Sequence, residues 1–159
     1  MFNNIFSNLT LLAALGSGVM AGVFFIFSNT VMSALGQLKP AEGIAAMQAI
    51  NKVILNPLFF VAFIGTGIVC LGLALSLFWS WPATGAGYLL AGCLIYIAGS
   101  FVVTMVFNVP MNDALDAVSA SSTEAADLWA TYLVRWTLWN HVRTAASFLS
   151  AAALTLSLI

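Results

Sequence analysis

The sequence predicts an all-α fold, an integral membrane protein built as an antiparallel four-helix bundle. Three observations carry this. Between Lys52 and Asp113 no charged side chain occurs, and nearly every residue is apolar. The 159-residue chain is 62% hydrophobic and 6% charged, where a globular protein carries about 25% charged residues. The apolar residues also fall into runs of roughly 20 or more, the length that crosses hydrocarbon at about 1.5 Å per residue. A single transmembrane domain, 1–159, accounts for the chain, with spans expected over 7–34, 57–79, 85–109 and 137–159. No soluble domain fits in the remainder.

The first span reads as a retained helix rather than a signal peptide. No Lys or Arg precedes it, and its apolar run is too long for a signal's core. Ala14, Gly18 and Gly22 form a small-residue seam of the kind that lets helices approach closely in lipid, either within the chain or in a homo-oligomer. Residues 39–54 are too polar to span. Ile44, Met47, Ile50 and Ile54 recur at helical spacing after Pro40, which predicts a short amphipathic helix lying in the interface. Asn56-Pro57 is a helix-start signal for span two, and Trp79-Ser80-Trp81-Pro82 is its expected stop. Gly85, Gly92 and Gly99 recur every seven residues on span three, a second close-packed seam. Pro110 is expected to end or kink that span. Residues 124–135 can form another interfacial helix before span four.

The formal charge of −1 and the absence of any basic run argue against a nucleic-acid partner. The partners implied are the lipid bilayer and a lipophilic small molecule. Lys39, Lys52, Arg135 and Arg143 all fall on one side of the expected topology. The positive-inside bias then places loops 1–2 and 3–4 in the cytoplasm and both termini outside, in the inner or plasma membrane if the source is bacterial. Cys70 and Cys93 lack redox or zinc spacing and read as small apolar fillers, with a disulfide between spans as the alternative.

The polar residues gather at one depth. Asn51 and Asn56 flank the entry to span two; Thr104, Asn108 and Asn112 recur near the exit of span three; Trp136, Asn140, His141, Arg143 and Thr144 fill the start of span four. A cation or imidazole near hydrocarbon is costly unless it faces a neighbour or a wet cavity, so the set is expected to converge on one pocket. Each member also has a plainer use. Asn56 can cap a helix, Arg143 can snorkel to headgroups or pair with Asp113 or Asp116, and Trp136 and Trp139 can anchor at the interface.

Several chemistries are excluded by composition. One histidine cannot supply bis-histidine haem ligation or a three-histidine zinc site. No carboxylate lies within a span, which argues against a carboxylate-bridged di-iron centre. No phosphate loop, dinucleotide fingerprint or G-x-S-x-G elbow is present.

The stretches MAGVFFIFS (20–28), MQAINKVILNPLF (47–59), VTMVFNVPMN (103–112) and LWNHVRTAASF (138–148) resemble the anthrone oxygenase-like family of small four-span membrane proteins. The resemblance implies oxidation of a polycyclic anthrone or related phenolic substrate by dioxygen, without flavin or a defined metal. It carries over Asn51, Asn56, Asn108, Asn112, Trp136, Asn140, His141 and Arg143 as positions of interest. In such a reaction His141 is the expected base. Arg143, Asn108 and Asn140 are the expected anion stabilisers, and Phe107, Trp136 and Trp139 the expected flat walls. No cofactor is expected, dioxygen being a co-substrate; haem or a metal held through His141 is the minor alternative. The competing class is non-enzymatic: an accessory subunit, a lipid or small-molecule binder, or a transporter module.

Overall fold

The computed structural model describes residues 2–79 and 84–159. Its regular structure is helical, with no strand among the described residues. We number five helices: α1 over 2–35, α2 Pro40–Ile54, α3 Pro57–Ser76, α4 Ala86–Asp116 and α5 Thr123–Leu156. Three helices, Asn4–Leu35, Pro57–Ser76 and Ala86–Asp116, are long and apolar enough to cross a membrane. Their outward faces are apolar too: Leu15, Val61, Ile68 and Leu94 are all exposed. Such a surface belongs in lipid rather than water.

The fourth expected span is not among those three. Residues 137–159 were expected to cross alone, with a separate helix over 124–135; instead one helix runs continuously over Thr123–Leu156. Its polar side chains lower its apolar content; Asn140, Arg143, Ser147 and Ser150 among them are buried, while Glu124, Asp127, Arg135 and His141 are exposed. Span three also runs further than expected. Pro110 does not end it, because the preceding turn, Thr104–Asn108, is wound with i→i+5 hydrogen bonds, and Val109 N–H donates to the Thr104 carbonyl. A widened turn absorbs the bond that proline cannot make. Asp113 and Asp116 are therefore helical, and only 117–122 connects α4 to α5. The Trp81-Pro82 stop lies outside the described residues.

The helices pack around α5, with α1 and α4 against it and α3 bridging α1 and α4. The glycine seam of α4 explains the closeness. A side chain at Gly99 would overlap Ala146, one at Gly92 would overlap Leu154, and one at Gly85 would overlap the Ser157 carbonyl. The partners run down α5 as the glycines run up α4, so the two helices are antiparallel. Gly85 also has φ of 75°, a conformation that favours glycine. Hydroxyls reinforce the seam: Ser150 donates to the Gly92 carbonyl at 2.8 Å, and Ser100 and Ser147 share a hydrogen bond of 2.6 Å. By contrast, a β-carbon added at Gly18 or Gly22 would meet no neighbouring described residue within 4 Å, and both lie on the exposed face of α1.

At the other end from the termini, α2 closes the molecule. Its Ile44 and Met47 are buried against Met32, Leu115 and Trp129. Gln48 donates to the carbonyls of Leu115 at 2.8 Å and Val118 at 3.0 Å, stopping the end of α4. Lys52 pairs with Asp116 at 3.1 Å on the surface. Such an exposed pair contributes little by itself.

Candidate functional site

The site grows from α5. Positions 132, 136, 140, 143 and 147 recur at three or four residues and share the buried face of that helix. The lower rung is aromatic. Tyr132 and Trp136 stack at 5.8 Å, and both donate to Asn112 Oδ1 from α4, at 2.7 and 2.8 Å. Asn51 of α2 lies beside the Tyr132 hydroxyl. Its own Nδ2 is buried without a hydrogen-bond partner among the described residues.

The upper rung is polar and charged. Arg143 is 5% exposed, Asn108 is 1% exposed and Asn140 is fully buried. Arg143 Nη2 donates to Asn140 Oδ1 at 2.5 Å, and Nη1 donates to Thr104 Oγ1 at 3.2 Å. Asn140 Nδ2 donates to the Phe24 carbonyl at 2.6 Å and to Ser28 Oγ, both on α1. Asn108 Nδ2 donates to the Trp136 carbonyl at 3.2 Å. The guanidinium carbon sits 4.3 Å from the Phe24 ring centroid and 5.2 Å from that of Trp136. Cation–π contact is thus part of its solvation.

Local winding helps place these groups. Ser28 lies in the wide turn Phe27–Val31 of α1, and Thr104 and Asn108 lie in the wide turn Thr104–Asn108 of α4. Turns of this kind shift the register of side chains on a helix face and recur at functional sites. Four buried polar atoms nearby have no protein partner among the described residues: Arg143 Nε, Asn108 Oδ1, Thr137 Oγ1 and Asn51 Nδ2. Among the described residues Arg143 also has no carboxylate within ion-pair distance; Asp116, one of its possible partners, pairs with Lys52.

Two expected members stand apart. His141 is exposed, because on α5 it follows Asn140 by about 100° and leaves the buried face. It does not join Arg143 and Asn108. Asn56 is spent on its own helix start: Oδ1 accepts from Phe59 N–H at 3.0 Å, and Nδ2 donates to the Val53 carbonyl at 3.0 Å. Trp136 is buried within the aromatic rung and does not line the groove as a wall.

Phe107 and Trp139 do form a wall. Their rings stack at 3.6 Å with an interplanar angle of 6°. They line a groove between α4 and α5 with a cavity volume of about 300 Å³. Met111 and Tyr132 contribute further apolar surface, and Thr131 and Arg135 bring the polar groups. Thr131 and Arg135 were missed from the sequence as site residues. The signal was present, since Leu128, Thr131, Tyr132, Arg135 and Trp139 share one face of a helix, but it appeared only once 124–135 and span four became one helix. No group of three or more metal-ligating side chains occurs among the described residues.

A family model described as anthrone oxygenase matches residues 58–153, more than half of the chain. The chain belongs to the anthrone oxygenase family. The matched segment contains two of the four distinguishing stretches, 103–112 and 138–148, and only the end of 47–59; the stretch 20–28 lies outside it. It spans α4 and nearly all of α5, the helices that carry the groove and most of the polar rung. No curated protein and no solved structure matches.

Proposed function

We propose that this anthrone oxygenase family member is a membrane-embedded four-helix oxygenase acting on flat, lipophilic C–H acids of the anthrone type, phenolic polycyclic ones included. The observation that carries this reading is the groove between α4 and α5, with its Phe107–Trp139 wall, set against a buried cation that has no carboxylate partner among the described residues. The substrate enters from lipid and lies with its ring plane on that wall. Loss of a methylene proton to water at the open groove gives an electron-rich enolate. The enolate passes electrons to dioxygen, takes up one oxygen atom and releases the other as water, leaving a carbonyl at the former methylene carbon. Dioxygen is the oxidant, and the chain's own residues supply binding and electrostatics.

Arg143 acts in this scheme from behind the groove. Its guanidinium stays protonated and is held rigidly by Asn140 and Thr104. In a low-dielectric interior, an unpaired positive charge acts over a longer distance than it does in water. Asn112 and Asn108 fix the Tyr132–Trp136 rung between cation and groove. His141, the base expected from the sequence, faces away and is assigned no role. Purified protein in detergent should accelerate both dioxygen uptake and quinone absorbance from an added anthrone. Arg143→Gln should lower that rate at least about tenfold, in keeping with the loss of a preorganised electrostatic group, while His141→Ala keeps most of it. A wild-type rate no higher than spontaneous oxidation would remove the reaction.

Lys39, Lys52 and Arg135 sit at the end of the molecule closed by α2, so that end is proposed to face the cytoplasm, with the termini outside. One observation favours a non-enzymatic second reading, that of a small-molecule binder. Arg143, Asn108 and Asn140 are not among the residues that line the groove, so the groove can bind without the rung reacting.

A further inference from the structure

The groove's polar content is concentrated in one cation. Arg135 is exposed, lines the groove together with Thr131, and pairs with no carboxylate among the described residues. It lies one helical turn before Trp139 on the same face of α5 and lines the groove together with the Phe107–Trp139 wall. The Tyr132 hydroxyl is already committed to Asn112 at 2.7 Å. Arg135 and the Thr131 hydroxyl are therefore the groups free to meet a ligand's polar edge. A neutral hydrocarbon ligand would use the wall and make no use of this cation.

We propose that the groove selects flat aromatic ligands bearing an ionised phenol-type oxygen, with Arg135 as the specificity-determining residue that binds that oxygen and Thr131 as a second donor. The inference rests on the groove being the seat of the substrate, as in the reading above, and it narrows the substrate class to acidic aromatic hydroxyl compounds. Arg135 belongs to the ligand-binding edge. Arg143 is a separate charge, buried behind it.

The test is binding, measured apart from turnover. 2,4-Dinitro-1-naphthol, ionised at neutral pH, and its methyl ether are titrated against the full chain in neutral detergent, and quenching of tryptophan fluorescence is followed. The naphtholate should bind at least about tenfold more tightly than the ether, as a charge-assisted hydrogen bond allows. Arg135→Gln should abolish that preference while leaving the ether's affinity unchanged, which also shows that the variant is folded. Arg135→Lys should retain part of the preference, and Trp139→Leu should weaken both ligands alike. A preference that survives in Arg135→Gln overturns the proposal. So does displacement of the naphtholate from wild type by phosphatidylglycerol in nanodiscs, which would make Arg135 a headgroup anchor. Selective naphtholate binding without anthrone oxidation would leave this site standing and remove the reaction; oxidation without naphtholate preference would do the reverse.

Discussion

Arg143 and His141 are two residues apart on one helix and have opposite fates. Two residues rotate a side chain by about 200°, enough to carry it from the buried face to the surface. Arg143 is surrounded by Asn140, Thr104, Phe24 and Trp136, while His141 is exposed. The consequence for stability follows from the cost of stranding a buried polar group, about 1–3 kcal/mol. Asn140→Leu is close in size but leaves Arg143 Nη2 and Ser28 without their partner. It should destabilise the protein by about that amount, seen as a lower melting temperature in detergent. His141→Ala should fall within about 0.5 kcal/mol of wild type, as surface changes usually do. A larger loss from His141→Ala than from Asn140→Leu would mean that the imidazole is packed.

At the scale of the element, two small-residue seams, one recurring every four residues and one every seven, behave differently. The α4 seam is consumed by α5: a β-carbon at Gly99 would come within 2.4 Å of Ala146 Cβ. Gly99→Ala should therefore force the helices apart and cost about 1–3 kcal/mol, the usual range for overpacking. Gly22 on α1 has open space around it. Gly22→Ala should be neutral or stabilising, since alanine is the better helix former by roughly 1 kcal/mol. Thermal unfolding of the two variants in one detergent checks both. A homo-oligomer built on α1 would instead show Gly22→Ala shifting the mass seen by light scattering. The wide turns also belong to this scale. Without the i→i+5 winding of Thr104–Asn108, Pro110 would break α4, and Asn112 would not lie under Tyr132 and Trp136.

For the whole molecule, charge and burial divide the protein into ends. The described basic residues other than Arg143 lie on or beside α2 and the start of α5, the end where Gln48 and Lys52 bind the α4 terminus. The bias of basic residues toward the cytoplasm makes a direct prediction. A cysteine placed at Ser121, in the loop 117–122, should react with a membrane-impermeant maleimide only when the cytoplasmic face is opened. The native Cys70 and Cys93 are buried and should contribute little background. Labelling of intact cells at Ser121→Cys would invert the topology.

Much of this was open to reading from residues in order. Hydrocarbon length, proline and asparagine starts, and the absence of charge from Lys52 to Asp113 suffice for an all-helical membrane protein, because backbone polar groups in lipid must be satisfied within the helix. The family resemblance rested on local stretches, and the match over 58–153 bears it out. Asn108, Asn112, Asn140 and Arg143 were visible as a polar set because hydrocarbon makes each of them costly. What linear spacing could not resolve was rotation and continuity. A one-residue step decides whether a side chain is buried, which separated His141 from Asn140. A widened turn before Pro110 and an uninterrupted α5 brought Phe107 against Trp139 and placed Arg135 and Thr131 on the groove. Those outcomes depend on which helix faces which, and packing between distant segments sets that.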